Sequence, residues 1–304
     1  MRWVVVLNHR SGTAPQQAAV AEALQRVGVS ADIVPVPSAM GAGSIDDTAA
    51  QYDVLVAAGG DGTVSTVAGA AARAGKVFGV MPCGTLNHFA RDAGIPLDLD
   101  EAAAVLAAGH TRRLDVGVLN DLIFINNASI GAYPRMVWER NRARKRGLPR
   151  PLAAGFAVAR TWFDLRSVAA RLTIDGRELV RSTPFIFIGN SAYDVEGTDI
   201  GRRPTMTDGK LSLYMAPRFG RIDALLLPVR VLLKTLEEHE RFESFEAAAI
   251  SIETSRARVS VGIDGEIRML DAPLRFSVRS DVLETLLPES ATAEQPNRRT
   301  EAPV

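Results

Sequence analysis

Residues 53–63 read DVLVAAGGDGT, an apolar run that ends in a turn of glycines around one carboxylate. The run 53–58 is short, continuous and apolar, as expected of a parallel strand buried on both faces. Residues 64–74 (VSTVAGAAARA) are small and compatible with a helix. A glycine-rich turn between a strand and a helix N-terminus lets backbone N–H groups approach phosphate oxygens, and the helix dipole favours the negative charge. Asp61 inside that turn is unusual. An acid repels phosphate unless Mg²⁺ lies between them or the acid handles a proton, so Asp61 points to phosphoryl transfer rather than plain nucleotide binding. Taken alone, the stretch leaves open a plain turn that only joins a strand to a helix.

The flanking sequence repeats the same grammar. Strands are expected at 3–7 (WVVVL), 31–36, 53–58 and 77–81, and helices at 15–27, after the GGDGT turn, at 85–92 and at 99–108. This β-α-β alternation argues for a parallel sheet with helices on both faces, which binds ligands at the carboxyl ends of its strands. Three polar, glycine-containing turns fall there: 8–12, 59–63 and 82–87. After about Asp115 the pattern changes to short strands at 122–127, 168–175, 185–189, 210–215, 248–253, 258–263 and 274–278. Asp175-Gly176 and Asp264-Gly265 are hairpin-type turns. This half reads as largely antiparallel β, a sandwich with helices inserted at 134–146, 151–163 and 222–240, the last with a kink at Pro228. The expected organisation is a nucleotide-binding α/β domain at 1–118, a β-rich domain at 119–288, and a disordered tail at 289–304, which is polar and contains proline.

The 304 residues carry 35 Lys and Arg against 35 Asp and Glu. Zero net charge gives no global field for nucleic acid, and no nucleic-acid partner is expected. The single cysteine, Cys83, excludes an internal disulfide and fits a reducing compartment. No segment has the ~20 apolar residues of a membrane span, and no signal peptide is read, so a cytoplasmic protein is expected, with any membrane contact peripheral.

The P-loop pattern G-x-x-x-x-G-K-[ST] is absent, and Ser65 stands where the dinucleotide pattern needs its third glycine. What remains is GGDGT, then Pro82-Cys83-Gly84-Thr85-Leu86-Asn87, then the early Asn8-His9-Arg10-Ser11-Gly12. That combination resembles the diacylglycerol kinase catalytic domain in its soluble bacterial lipid-kinase form. The wider superfamily includes sphingosine and ceramide kinases and, more distantly, NAD kinases and phosphofructokinases. Further matches follow in order: Gly94-Ile95-Pro96, Arg112 to Gly117 (RRLDVG), Asn127 to Gly131 (NASIG), Gly189-Asn190, Asp208-Gly209-Lys210-Leu211 and Asp264-Gly265-Glu266. Together they span about Val4 to Leu287.

The resemblance implies an ATP-dependent lipid kinase of lipid metabolism, with a phosphofructokinase/NAD kinase-like first domain. ATP would be held by Asn8, Ser11, Gly12, Gly59, Gly60, Asp61, Gly62, Thr63, Val64, Ser65, Thr66, Gly84, Thr85 and Asn87. Asp61, Asp115, Asp264 and Glu266 would surround the transferred phosphate, its Mg²⁺ and the attacking hydroxyl. Thr205, Asp208 and Lys210 match a family site for a second, structural Mg²⁺. The acceptor would be a lipid at a membrane surface, on the inner face of the membrane, and a homodimer is compatible with this. The sequence departs from the family pattern at Ser65 and Thr66, where Asn-Glu is usual, at His88, where Asp is common, and after the second strand (Pro35-Val36-Pro37-Ser38). A kinase of a soluble alcohol such as NAD or a sugar, and a non-catalytic nucleotide-binding module, are the competing readings. Cys83 reads as a small buried filler. The segments 151–163 and 225–236 are the most apolar helical stretches, read as domain core or as the lining of a lipid groove; the basic run 140–146 reads as a solvated helix face or a headgroup contact.

Overall fold

The structure, a computed structural model, describes residues 1–8, 17–36, 42–163, 167–193, 202–215 and 243–292. The chain divides into two compact units: Met1–Leu114 with Asp281–Val304, and Asp115–Ser280.

The first unit is a parallel α/β sheet. Its strands are β1 (Trp3–Leu7), β2 (Asp32–Pro35), β3 (Val54–Gly59) and β4 (Val77–Pro82), in the order β2-β1-β3-β4. Every pairing among them is parallel. β3 is buried at every position, as its continuous apolar sequence requires. Helix α1 (Gln17–Arg26) packs with α5 (Leu99–Ala108), and α2 (Ala42–Gln51) with α3 (Asp61–Ala74). α2 was not read from the sequence, because its glycine, serine and two aspartates mask its helical period. Val5, Leu7, Leu24, Val56, Met81 and Leu106 belong to one core cluster of this unit. α4 covers only His88–Asp92, three residues shorter than expected at its start, because Asn87 adopts a left-handed conformation that no helix can include.

The chain leaves the first unit within β5 (Thr111–Leu119) and returns within β16 (Leu274–Leu286). At its far end β16 pairs parallel with β4, through Thr285 and Phe78. The first unit therefore reclaims residues from Asp281 onward, and the compact units divide at 114/115 and 280/281. The tail begins as a short helix, α8 (Glu289–Thr292), where the sequence reading expected disorder; its remainder lies outside the described residues.

The second unit is a sandwich. One sheet is antiparallel throughout, with β12 (Glu243–Ala247), β11 (Leu211–Met215), β10 (Phe185–Asn190), β7 (Asn127–Gly131), β14 (Arg258–Ile263) and β15 (Glu266–Asp271) in that order. The other contains β13 (Ala249–Thr254), β8 (Val168–Ile174), β9 (Arg177–Thr183) and the first half of β16, with β6 (Leu122–Phe124) joined to the end of β5. Leu172, Ile250, Ile252 and Phe276 of one sheet and Ile130, Ile186, Ile188 and Leu213 of the other form a common core. The two hairpin turns are as expected: Asp175 and Asp264 have φ of 44° and 46°, and the glycines after them 84° and 85°. β9, β12 and β15 were not read as strands, since their alternation is diluted by charged residues at the sheet edges.

Among the described residues, two helices complete this unit, α6 (Ala132–Lys145) and α7 (Arg150–Phe163). α6 lies against β7, β14 and β15, and α7 packs on α6. The expected helix at 222–240 and its Pro228 kink lie outside the described residues.

Leu172 is fully buried in the sandwich core. Leu172→Ala should lower the unfolding free energy by about 2–5 kcal/mol through lost burial and a residual cavity, measurable by urea denaturation.

Candidate functional site

Two turns of the first unit, 59–63 and 82–87, sit at the carboxyl ends of the neighbouring strands β3 and β4 and are locked to each other. The carbonyl of Gly59 accepts from the Cys83 amide at 3.0 Å. A Cβ on Gly84 would stand 2.5 Å from the Cα of Gly60 and 2.7 Å from Asn87 Oδ1, and one on Gly59 would stand 2.6 Å from Thr63 Oγ1. The backbones therefore meet at a distance only glycine allows. Asn87 ties its own turn by accepting from the Gly84 amide at 2.9 Å and donating to the Gly84 carbonyl at 3.0 Å. Its left-handed backbone is one that Asn tolerates. Thr85 and Leu86 are left exposed on the turn.

Asn8, the residue after β1, joins them through its side chain. Asn8 Nδ2 donates to the hydroxyl of buried Thr63 at 3.0 Å. The Asn8 amide itself donates to Ala58 O at 3.0 Å. Ser11 and Gly12 lie outside the described residues.

Asp61 opens α3. Gly60 is the N-cap in an extended conformation, and no side chain caps the helix. The first-turn amides of such a helix are a natural seat for an anion. Asp61 Oδ1 is buried and, among the described residues, has no hydrogen-bond partner. A buried carboxylate oxygen without a donor is costly, and it becomes tolerable when a cation or a proton completes it. Thr66 turns its hydroxyl back to the Gly62 carbonyl at 2.8 Å, so its side chain serves the helix, and Val64 is buried and presents only backbone. Ser65 is half-buried. Cys83 is buried, and that burial pushes its thiol up to about 12, so it stays neutral and acts as filler.

The other acids belong to the second unit, where a buried polar net ties together stretches that are far apart in sequence. Asp264 accepts from the amides of Ile125 at 2.9 Å, Asn126 at 2.8 Å and Asn127 at 3.0 Å, and its own amide donates to Asn127 O. The carbonyls of the same segment are held from elsewhere. Asn190 Nδ2 donates to Ile125 O at 3.2 Å and to Asp115 O at 2.9 Å. The Tyr193 hydroxyl donates to Asn126 O at 3.0 Å. Arg203, 1% exposed, donates through Nη1 to Ile125 O at 2.6 Å and Asn190 O at 3.3 Å, and through Nη2 to Asn126 Oδ1 at 2.9 Å. Its guanidinium also lies 5.8 Å from the Tyr193 ring centre.

Asp115 is buried in the same net. Its Oδ2 accepts from Gly209 N at 2.7 Å, and its own amide donates to Met206 O. Glu266, at the other end of the Asp264 turn, is exposed and meets Arg268 at 3.4 Å.

The three residues matched to a structural metal form a tight turn. Thr205 Oγ1 accepts from Thr207 N, and Asp208 Oδ1 from Lys210 N, both at 3.2 Å. Lys210 Nζ pairs with Glu246 at 2.8 Å. Among the described residues no group of three or more His, Cys, Asp or Glu side chains is placed to hold a metal. A cation there would depend on the single Asp208 carboxylate and on backbone carbonyls.

Arg203, Asn126 and Tyr193 were not singled out from the sequence. Arg203 stands in a polar, proline-containing stretch, Arg202-Arg203-Pro204, which reads as surface. Only its burial distinguishes it from Arg202, which is exposed.

Comparisons with known proteins agree with this architecture. Residues 2–119 match the family described as diacylglycerol kinase catalytic domain, and residues 132–287 match the family described as YegS C-terminal NAD kinase beta sandwich-like domain. The chain is 33% identical over 217 residues to curated diacylglycerol kinases of Staphylococcus aureus strains bovine RF122 / ET3-1 and JH9, covering 71% of this chain and 68% of each relative. A crystal structure of a diacylglycerol kinase from Bacillus anthracis str. Sterne superposes with a TM-score of 0.68 at 17% identity, over 95% of this chain and 98% of that one, and shows the shared fold.

Arg203→Met keeps much of the side-chain volume but removes the buried donors to Ile125 O, Asn190 O and Asn126 Oδ1. Each such loss costs about 1–3 kcal/mol, so the variant should lose on the order of 3 kcal/mol or more in chemical denaturation. Arg202→Met, at the exposed neighbour, should leave stability within about 0.5 kcal/mol of the parent.

Proposed function

The chain belongs to the diacylglycerol kinase family, and from that membership we propose that it is an ATP-dependent kinase that moves the γ-phosphate onto the hydroxyl of a lipid, diacylglycerol-like or sphingoid, with Mg²⁺. The observation that carries the reading is Asp61. Among the described residues its buried Oδ1 has no partner, and it stands at the uncapped head of α3, beside the closely packed glycines Gly59, Gly60 and Gly84. A carboxylate short of a donor suits a site that takes a cation together with phosphate.

In this reading the backbone at 60–62 and the α3 N-terminus receive phosphate oxygens, and Asn8 fixes the Thr63 side chain beneath them. Thr85 and Asn87, on the abutting turn, complete the nucleotide side. Asp61 would hold Mg²⁺, which when bound supplies charge neutralisation on the phosphate oxygens. The lipid hydroxyl attacks the γ-phosphorus, the bond to the β–γ bridging oxygen breaks, and ADP leaves. The hydroxyl proton passes to a carboxylate.

The hydrogen bonding of the four acids supports a division of labour among them. Asp264 spends its oxygens on three amides, and Asp115 is committed to the Gly209 amide. We assign both to shaping the acceptor side. Asp61 and the exposed Glu266 are the less committed pair, and we assign proton and charge handling to them. Thr205, Asp208 and Lys210 are proposed to hold a structural Mg²⁺ that steadies the turn beside Asp115.

Among the described residues no helix is long and apolar enough to cross a membrane. We place the reaction at the inner surface of the bilayer, where the acceptor resides, with ATP taken from the cytoplasm.

The reading is tested by ATP turnover with Mg²⁺ against dispersed diacylglycerol, sphingoid bases, NAD and sugars. Turnover with a lipid alone is expected. Turnover confined to NAD or a sugar would move the chain to the soluble-alcohol kinases, and nucleotide binding without turnover on any acceptor would make it a regulatory module. Asp61→Asn should lower kcat roughly 10²–10⁴-fold with the fold retained by circular dichroism; near-parental turnover would return Asp61 to the turn formers. Asp208→Ala should abolish any rise in melting temperature that Mg²⁺ gives the parent in the absence of ATP. An equal rise in both proteins would remove the structural metal from this turn.

A further inference from the structure

We propose that Arg203 and Tyr193 are positioning residues for Asp264, acting on it through the two peptide groups that link Ile125 to Asn127. The proposal rests on the reading above for what Asp264 serves, the acceptor side. It rests on the hydrogen bonds alone for how Asp264 is held.

The contacts fall on shared peptide units. The Ile125–Asn126 peptide accepts from Arg203 Nη1 at its oxygen, at 2.6 Å, and donates from its nitrogen to Asp264 Oδ1, at 2.8 Å. The Asn126–Asn127 peptide repeats the arrangement. Its oxygen accepts from the Tyr193 hydroxyl at 3.0 Å, and its nitrogen donates to the same Oδ1 at 3.0 Å. One peptide group therefore stands between a buried cation and a buried anion, and the next stands between a phenol and that anion. A donor at the carbonyl oxygen polarises the whole amide, so the N–H on its other side becomes a stronger donor in turn. A charged donor does this most.

Both donors are fixed from several sides, all within the second unit. The guanidinium plane of Arg203 is set by its further bonds, from Nη1 to Asn190 O at 3.3 Å and from Nη2 to Asn126 Oδ1 at 2.9 Å. The Tyr193 ring lies over Gly189, where a Cβ would stand 2.3 Å from its Cε2, and it meets Phe187 edge-on with ring centres 5.3 Å apart. The Tyr214 hydroxyl accepts from the Tyr193 amide and donates to the Tyr193 carbonyl, each at 3.2 Å.

Satisfying the two carbonyls does not require either residue. Asn190 already donates to both, through Nδ2 to Ile125 O at 3.2 Å and through its amide to Asn126 O at 2.9 Å. A neutral donor does this without the cost of burying a guanidinium. What Arg203 and Tyr193 add is polarisation and a fixed orientation of two N–H groups that converge on one carboxylate oxygen.

Amide proton resonances of the full chain, without nucleotide or lipid, read this coupling directly, since a stronger N–H donor resonates further downfield. Arg203→Met should move the Asn126 amide upfield by more than those of Ile125 and Asn127, and Arg203→Lys should restore much of that shift. Tyr193→Phe, which keeps the ring and removes only the hydroxyl, should move Asn127 most, and it carries the test if Arg203→Met does not fold. In turnover with Mg²⁺ and ATP, Arg203→Met should raise KM for the lipid acceptor roughly tenfold, and Tyr193→Phe roughly threefold, while KM for ATP stays within about twofold. Loss of folded protein alone lowers the active fraction and leaves both KM values in place. Arg202→Met, at the exposed neighbour, should match the parent in both measurements. Shifts spread evenly over the three amides, or a parent-like spectrum for Tyr193→Phe, would overturn the coupling. A parent-like KM for the lipid in a variant whose amides have moved would overturn the positioning role. A parent chain that phosphorylates no lipid would retire the lipid-kinase reading, and the amide shifts would still decide how Asp264 is held.

Discussion

The second unit depends on how a three-residue piece of backbone, Ile125 to Asn127, is held. Asp264 takes its amides and Arg203 takes carbonyl and side-chain oxygens from the same segment, all away from water. Burying an aspartate and an arginine is expensive unless every donor and acceptor finds a partner. Here the partners are peptide groups, each of which would itself be an unsatisfied cost if left alone. The two charged side chains and the segment therefore stabilise one another, and none is cheap to change in isolation.

That mutual dependence explains why motifs scattered over the second half share a neighbourhood. Asn190 bridges Asp115 O and Ile125 O, and Gly209 donates to the Asp115 carboxylate. Gly117 sits where the Phe124 ring would collide with any Cβ, so the strand carrying Asp115 is pressed flat against its neighbour. The acids are positioned by the sandwich rather than by their own loops, which suits groups that must hold a fixed geometry.

The first unit solves a different problem. At two of its turns backbone meets backbone, so close glycine contacts replace side-chain packing there. Gly84 and Gly60 meet directly, and the helix behind them is left without a cap. Among the described residues the buried Asp61 Oδ1 has no hydrogen-bond partner, a local inconsistency of the kind found at functional positions more often than in structural turns.

The sequence by itself determined the class of both halves. Continuous apolar runs such as 53–58 followed by glycine turns have one economical solution, a parallel sheet under helices, while short alternating segments joined by Asp-Gly turns have another, an antiparallel sandwich. It also carried the motifs on which family membership rests. It did not carry the helix at Ala42–Gln51, whose propensities are weak, nor the edge strands, whose charges blur the alternation. Only the tertiary structure decided that Arg203 is buried while Arg202 is exposed, that Asp264 grips backbone amides, and that α7 buries alanines and exposes leucine and phenylalanine. Residue type and spacing fix which groups can be buried. Which groups are buried depends on what packs against them from distant parts of the chain, and that information is not local to any stretch of sequence.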